Sequence, residues 1–580
     1  MAPNPYPLRS VALLTPCIDR CHRNAQKCRQ FRRREQWGRG PSGACAACFL
    51  ARARWWEGAV IYQIYPRSFA DADGDGIGDL RGIIGHLDHL RGTDDALGVD
   101  AIWLSPMYPS PLHDFGYDIS DYIDVAPEYG TLADLDALVE ACHARGLRFL
   151  LDLVPCHTSV DHPWFADSRS SRGSSKRDWY IWADPAVGGG PPSNWTAAFG
   201  GGAWEWEPAT EQYYLHSFYP EQPDLNWRNP AVANAMADVM RFWFRRGVDG
   251  FRVDAIAAAI KDELLRDNPP DRRPHAIPGL GGDAGHDPLW NVNRPEVHDV
   301  IRHLRRVAAE FPDRVLVGET YVQVEELASY LGHGADDEFQ LAFNFELLLS
   351  PWEHRHLTLA IERSEALHPP GALPTYAFSN HDQPRHATRW GPERARAAAF
   401  LLLTLRGVAV LYAGEELGMV DADPSDLPHP PFDRAGRDAY RTPMQWDASK
   451  HGGFTSGDPW LPLVDPGTRN VGHQRADPRS MLSLYRALIA ARRASPALAR
   501  GEHRSLFGIG SDVLAWLREA DGERVLVLLN VGDAEQRCDL RRVAATDGEV
   551  IVATSARTGR ADLTDLTLAG LEGIALRLTG

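Results

Sequence analysis

The stretch Asp249-Gly250-Phe251-Arg252-Val253-Asp254-Ala255 decides the reading of the chain. Gly250 to Val253 forms a short buried-strand pattern, and a carboxylate closes it. Two further runs end in the same way: Val315-Leu316-Val317-Gly318 leads to Glu319, and Thr375-Tyr376-Ala377-Phe378-Ser379 leads to Asn380-His381-Asp382. Working outward, Ala59–Tyr65, Ala101–Ser105, Arg148–Val154, Leu341–Phe345 and Val408–Tyr412 bring the strand candidates to eight. Amphipathic segments separate them, such as 132–145 and 231–246. The second sets Val232, Met236, Val239, Met240 and Trp243 on one side at helical spacing. Apolar strands alternating with helices predict a parallel sheet covered on both faces, and eight units predict a (β/α)8 TIM barrel. Functional side chains then belong at the C-terminal ends of the strands, where the three acids stand.

Two regions break this rhythm. Residues 156–225 carry no βα repeat but hold the loop material Gly188–Pro192 and Gly200–Gly202, with a short strand at Tyr213–Phe218. They read as a subdomain inserted after the third strand, so the barrel occupies 55–155 and 226–500. From 501 to 580, Val513–Leu517, Arg524–Leu529 and Ile574–Leu578 alternate with Asp/Gly turns, which predicts a C-terminal antiparallel β-sandwich domain.

Composition excludes several classes. A net charge of −17 disfavours a nucleic-acid partner, and no run of 18 apolar residues is present to span a membrane. Residues 1–54 are rich in Arg and hold five of the eight cysteines (Cys17, Cys21, Cys28, Cys45 and Cys48). Cys45-Ala46-Ala47-Cys48 lacks a second tight pair for a zinc site, so this segment reads as a disordered extension. Scattered thiols and the absence of a signal-like apolar core place the protein in the cytoplasm.

Three carboxylates at strand ends, with Arg252 beside one and His381 beside another, suit cleavage of a glycosidic bond: one attacks, one protonates, one holds hydroxyls. Asp152-Leu153-Val154-Pro155-Cys156-His157, Gly250–Asp254, Val317–Glu319, Phe378–Asp382 and Gln222-Pro223-Asp224-Leu225-Asn226 occur in that set together over some 520 residues. In this the chain resembles the α-amylase superfamily of glycoside hydrolases, in its oligosaccharide α-glucosidase branch of maltases and oligo-1,6-glucosidases. The resemblance implies that Asp254 is the nucleophile, Glu319 the general acid/base and Asp382 the transition-state stabiliser. It implies a small oligosaccharide or glucoside as partner, and retention through a covalent glucosyl-enzyme. His157 and His381 are expected to bind glucose hydroxyls, Tyr117 to stack on the sugar, and Arg252 to keep Asp254 ionised. Asp114 is expected to take a terminal hydroxyl while paired with Arg441, which closes the pocket and makes the enzyme exo-acting. The chain departs from the family where Cys156 replaces the Asn that usually precedes the histidine, which removes a ligand of the α-amylase calcium site.

A different cation loop is present. Asp71-Ala72-Asp73-Gly74-Asp75-Gly76-Ile77-Gly78-Asp79 alternates carboxylates like an EF-hand loop, yet Gly82 stands at position twelve, so it is not one. The branch uses Asp71, Asp73, Asp75, the Ile77 carbonyl and Asp79 to hold a structural Ca²⁺ or Mg²⁺. In the same branch, Ala at position 255 goes with α-1,4 linkages and Val with α-1,6, so maltose and short malto-oligosaccharides are the expected substrates, with glucosyl transfer as a side activity. The rival readings are a sucrose isomerase or trehalose synthase on the same scaffold and, from another class, a non-catalytic transporter partner or carbohydrate-binding protein, which would lack the acids. Trp204, Glu205, Trp206 and Glu207 read either as part of the acceptor side or as an ordinary strand.

Overall fold

The computed structural model describes residues 54–270, 285–332 and 336–579. The N-terminal extension and its five cysteines therefore lie outside the described residues. In chain order the strands are β1 (Val60–Ile64), β2 (Ala101–Leu104), β3 (Arg148–Leu153), β4 (Trp182–Ala183), β5 (Trp204–Glu207), β6 (Gln212–Leu215), β7 (Gly250–Val253), β8 (Val315–Gly318), β9 (Leu341–Ala342), β10 (Thr375–Ala377) and β11 (Val408–Tyr412). Eight of them form one parallel sheet in the order β10-β11-β1-β2-β3-β7-β8-β9. A parallel bridge between Phe343 and Thr375 joins the two ends, with Asn344 N–H donating to the Thr375 carbonyl at 2.9 Å. The barrel is thereby closed, at the eight positions the apolar runs predict.

Alternation along the strands builds two cores. Ile61, Ala101, Trp103, Leu150, Val315, Val317 and Val410 pack inside the barrel. Val60, Tyr62, Ile102, Phe149, Leu151, Phe251, Val253 and Leu316 face the surrounding helices. The helix Pro230–Arg245 shows the matching pattern: Asn229 caps it, Pro230 stands at its first position, and Val232, Met236, Val239, Met240 and Trp243 are all buried.

The inserted segment is a three-stranded sheet, β4-β6-β5, over a small core of Trp195, Ala203, Trp204 and Leu215. Trp204 is spent in that core and Glu207 on Arg169 (2.6 Å), whereas Glu205 and Trp206 are exposed. The C-terminal region adds β12 (Glu502–Ser505), β13 (Val513–Ala520), β14 (Glu523–Asn530), β15 (Gln536–Arg537), β16 (Asp547–Ala553), β17 (Arg560–Asp562), β18 (Thr567–Leu568) and β19 (Gly573–Leu578). Six make an antiparallel sheet, β12-β13-β14-β19-β16-β17, and β15 pairs with β18. On β14, Val525, Val527 and Leu529 join the barrel's helical core, while Leu526 and Leu528 join the domain's own core. No helix among the described residues is long and apolar enough to cross a membrane.

Candidate active site

The pleat aims the functional side chains. Leu150, Val315 and Val317 point inward, so a period of two also turns Asp152, Arg252, Asp254 and Glu319 into the barrel mouth. Register pairs Asp152 with Arg252 and Arg252 with Val317 across neighbouring strands. One guanidinium thus rises among three carboxyls. Arg252 Nη1 donates to Asp152 Oδ1 and to Asp254 Oδ1, each at 2.5 Å, and Nη2 pairs with Glu319 Oε1. Glu319 Oε2 accepts from the Ala255 N–H at 2.9 Å. Ala255 adopts φ 41°, ψ 34°, a left-handed conformation that turns the chain sharply after Asp254. Asp152 is fixed further by Trp103 Nε1 (2.8 Å).

Three acids on one cation leave negative charge uncompensated in a buried place. Burial pushes Asp254 up to about 7 against the pull of Arg252, with Asp152 and Asp382 adding to the rise. Burial likewise raises Glu319 to about 8, and Asp254 adds to it. Asp152 is raised to about 6, again by burial first. Arg252 therefore does not keep Asp254 at an ordinary carboxylate value, because it is shared three ways. Burial raises both carboxyls, and on one shared guanidinium they titrate as a coupled pair.

The opposite wall is built the other way. Asp382 Oδ1 accepts from Arg437 Nη1 (2.9 Å) and Arg441 Nη2 (3.3 Å), and Oδ2 lies 3.2 Å from His381 Nε2. Burial alone would raise Asp382, but the Arg437 and Arg441 guanidiniums hold it well below the usual carboxylate range. Arg437 Nη2 also binds Asp114 Oδ1 and, at 2.8 Å, Asp433 Oδ1.

The arginine that pairs with Asp114 is consequently Arg437 and not Arg441. Arg441 Nε donates to the His381 carbonyl at 2.8 Å, and its guanidinium lies over the Tyr65 ring. The reason is the path of the loop. Asp433 accepts from the Arg437 N–H (2.7 Å) and Nε (2.9 Å), which aims that side chain at Asp114. One turn, Asp438–Tyr440, then tucks Arg441 behind Asp382.

His381 and Tyr117 are stacked, with ring centroids 5.2 Å apart and planes at 8°, and Tyr117 Oη lies 2.6 Å from His381 Nε2. Gln63 Nε2 meets His381 Nδ1 at 2.7 Å, and burial lowers this histidine to about 3, so it is neutral. His157 Nε2 lies 3.1 Å from the Tyr117 carbonyl and 3.0 Å from Gln222 Nε2, while its Nδ1 has no partner among the described residues. Gln222 also donates to Asp114 Oδ2 at 3.0 Å. Asp152 and Gln222 stood within quoted motifs without a role. Gln63 was findable from its parity with Ile61, whereas nothing local marks Asp433.

Cys156 is buried, and burial pushes its thiol well up, which suits a packed residue and not a nucleophile. Cys156, His157 and Asp224 converge, but Lys261 Nζ sits 3.1 Å from Asp224 Oδ2, so the chain supplies its own cation there.

In the acidic loop, Asp71, Asp73 and Asp75 bring carboxylate oxygens within 4.8 Å of one another. Partial burial and the charges of Asp73, Asp71 and Asp79 raise Asp75 against the Ile77 N–H that it accepts. Converging hard oxygen donors that repel one another fit a divalent cation. Asp79 closes the loop: its Oδ2 accepts from the Ala72 N–H (2.7 Å), its Oδ1 caps the helix Leu80–Gly85 through Gly82 N–H (2.7 Å), and its charge acts on Asp75. The loop is stitched to a distant segment: Thr455 Oγ1 donates to Asp71 Oδ2 (2.5 Å) and Trp460 N–H to the Gly76 carbonyl (3.0 Å). Gly76 is required there, with φ 93° and the Asp458 carbonyl 2.1 Å from where a Cβ would stand. The Trp460 ring lies 5.8 Å from Phe115 and 6.5 Å from Tyr65.

Residues 63–501 match the family model of the α-amylase catalytic domain. The chain belongs to the α-amylase family. Among its relatives, a probable α-glucosidase of Rhizobium meliloti (strain 1021) is 44% identical over 525 residues, covering 86% of this chain and 93% of that protein. An oligo-1,6-glucosidase of Parageobacillus thermoglucosidasius is 36% identical over 525 residues, covering 83% and 91%. The solved structure of the α-glucosyl transfer enzyme XgtA superposes with a TM-score of 0.81 at 41% identity, covering 91% of this chain and all of that one. As a member of this family the protein is a glycoside hydrolase that acts on α-glucosides.

Proposed function

We propose that this enzyme is a retaining, exo-acting α-glucosidase that removes one glucose at a time from maltose and short α-1,4-linked oligosaccharides. The observation that carries the reading is the single Arg252 guanidinium bonded to both Asp254 and Glu319. Two carboxyls on one fork lie close together, which supports the separation of about 5–5.5 Å used by retaining enzymes over the wider spacing that admits a water.

In the first step Asp254 attacks the anomeric carbon while Glu319 gives its proton to the departing oxygen. The C–O bond breaks, the aglycone leaves as an alcohol, and a glucosyl ester forms on Asp254. In the second, Glu319 takes a proton from water, whose oxygen attacks the same carbon and frees Asp254. A sugar hydroxyl in place of water gives transfer. The Ala255 N–H fixes Glu319 between these roles. Asp382, kept anionic, accepts from ring hydroxyls and favours positive charge on the ring. The Asp114–Arg437 pair closes the pocket beyond the terminal sugar and supports exo action. The small Ala255 side chain supports the α-1,4 preference, a difference worth about 1–3 kcal/mol.

Incubation with maltose, isomaltose, sucrose and trehalose, with products followed by NMR, tests this. Maltose should be cleaved fastest, and the first glucose released from 4-nitrophenyl α-glucoside should be the α anomer. β-Glucose from that aryl glucoside would refute retention, faster cleavage of isomaltose would refute the linkage, and an isomerised sucrose would favour the isomerase reading.

Asp71, Asp73 and Asp75, with the Ile77 carbonyl and Asp79, would hold Ca²⁺ or Mg²⁺ as a structural ion that takes no part in the reaction. Chelation should lower Tm by several degrees, and an unchanged melting curve would count against the ion.

A further inference from the structure

The rim of the pocket carries an ion pair that the mechanism leaves unused. Glu221 directly precedes Gln222, whose amide holds Asp114 from one side. Arg434 lies three residues before Arg437, whose guanidinium holds Asp114 from the other. Arg434 Nη1 and Nη2 meet Glu221 Oε1 and Oε2 at 3.3 and 3.0 Å, a two-pronged contact between residues 213 apart in sequence. Behind it runs a stack. Arg434 lies over the Tyr219 ring at 4.1 Å, Tyr219 stacks on Phe199 with centroids 4.4 Å apart, and Arg437 lies over Phe199 at 5.2 Å. Two arginines of one loop therefore bracket an aromatic pair of the inserted subdomain.

We propose that Glu221 and Arg434, with Tyr219 and Phe199, are positioning residues that clip the loop 431–441 to the inserted subdomain and so hold Arg437 on Asp114. This rests on the α-glucosidase reading of the site. The clip touches neither the nucleophile nor the acid, and Arg441 keeps its own hold on Asp382 (3.3 Å), so loosening the clip weakens capture of the terminal sugar far more than the chemical step. The pair is partly exposed (side chains 46% and 28%), so salt should screen it.

The test compares the full-length parent with Glu221→Gln, Arg434→Gln and the charge-swapped double variant Glu221→Arg/Arg434→Glu, on maltose and on 4-nitrophenyl α-glucoside, at low and high sodium chloride. Each single variant should raise KM about three- to fivefold at low salt with kcat within about twofold. Parent KM should climb toward theirs in high salt, the variants should lose that dependence, and the swap should recover most of the parent KM. A purely structural pair would lower Tm without moving KM, and that result would overturn the proposal, as would an equal fall in kcat. A parent with no turnover on any α-glucoside would overturn the reading of the site itself, and the clip's role would fall with it.

Discussion

Glu319 and Asp382 end different strands of one barrel and face one hollow, yet their surroundings are opposite. On the Glu319 side a single Arg252 serves Asp152, Asp254 and Glu319. On the Asp382 side Arg437 and Arg441 together serve Asp114, Asp382 and Asp433. Glu319 is buried and Asp382 largely so (side chains 5% and 22% exposed), so desolvation acts on both, and the supply of guanidinium decides the outcome. The poor side is driven to keep a proton, with Glu319 raised to about 8 and Asp254 to about 7. The rich side keeps its charge, with Asp382 well depressed and Asp433 lowered to about 2 by Arg437 despite burial. One wall can therefore deliver a proton while the other stays anionic, and residue type alone does not distinguish them.

Removing a cation from the rich side should have the largest effect. Arg437→Ala is expected to cut kcat/KM about a hundredfold, since it strands Asp114, Asp382 and Asp433 in a buried place. Steady-state kinetics on maltose checks this, and a loss no greater than tenfold would mean that Arg441 alone can hold the wall. Removing an anion from the poor side comes next. Asp152→Asn takes away the charge that helps raise Asp254, so the acid limb of the kcat/KM profile should move to lower pH, with about a tenfold loss of rate because Arg252 loses an anchor. An unmoved limb would separate Asp152 from the titration.

The smallest effect is on stability. Glu319 is raised in the folded state, so below its unfolded pKa near 4.3 both states are protonated, and the folded enzyme loses stability as pH rises from there through about 8. Glu319→Gln escapes that loss. Though inactive, it should melt a few degrees higher than the parent at pH 8 and close to it at pH 4, as differential scanning fluorimetry would show. A lower Tm at pH 8 would mean that the Arg252 contact outweighs the burial.

Much of this was legible from residues because it depends on local parity. Arg252 and Asp254 share a face through the two-residue pleat, and Glu319 falls two past the inward Val317. The eight barrel strands were equally plain as apolar runs bounded by turns. What failed depends on how irregular chain runs in space. Arg437 and Arg441 are four residues apart, and only the Asp433 and Asp438 bonds to the loop backbone (Arg437 N–H at 2.7 Å, Phe432 N–H at 2.8 Å) decide which one reaches Asp114. Gln222 reaches the pocket from an insertion whose course no periodicity sets. In the C-terminal sheet the outer strands Glu502–Ser505 and Arg560–Asp562 are polar and half exposed, so they carry no apolar signal, whereas the buried Arg524–Leu529 run does.

The stitching of the acidic loop to Thr455 and Trp460 joins chain that follows the first barrel strand to chain that follows the last. Neither piece has regular structure of its own, and backbone bonds tie them together at both ends of the loop, from Asp71 N–H to the Phe454 carbonyl (2.8 Å) and from Trp460 N–H to the Gly76 carbonyl (3.0 Å). They should open as one cooperative unit, with the amides of Asp71 and Trp460, which donate across the seam, exchanging with solvent deuterium at a common rate. Every such opening also withdraws Trp460 from Phe115, the neighbour of Asp114, so the lifetime of this seam sets how long the entrance keeps its shape.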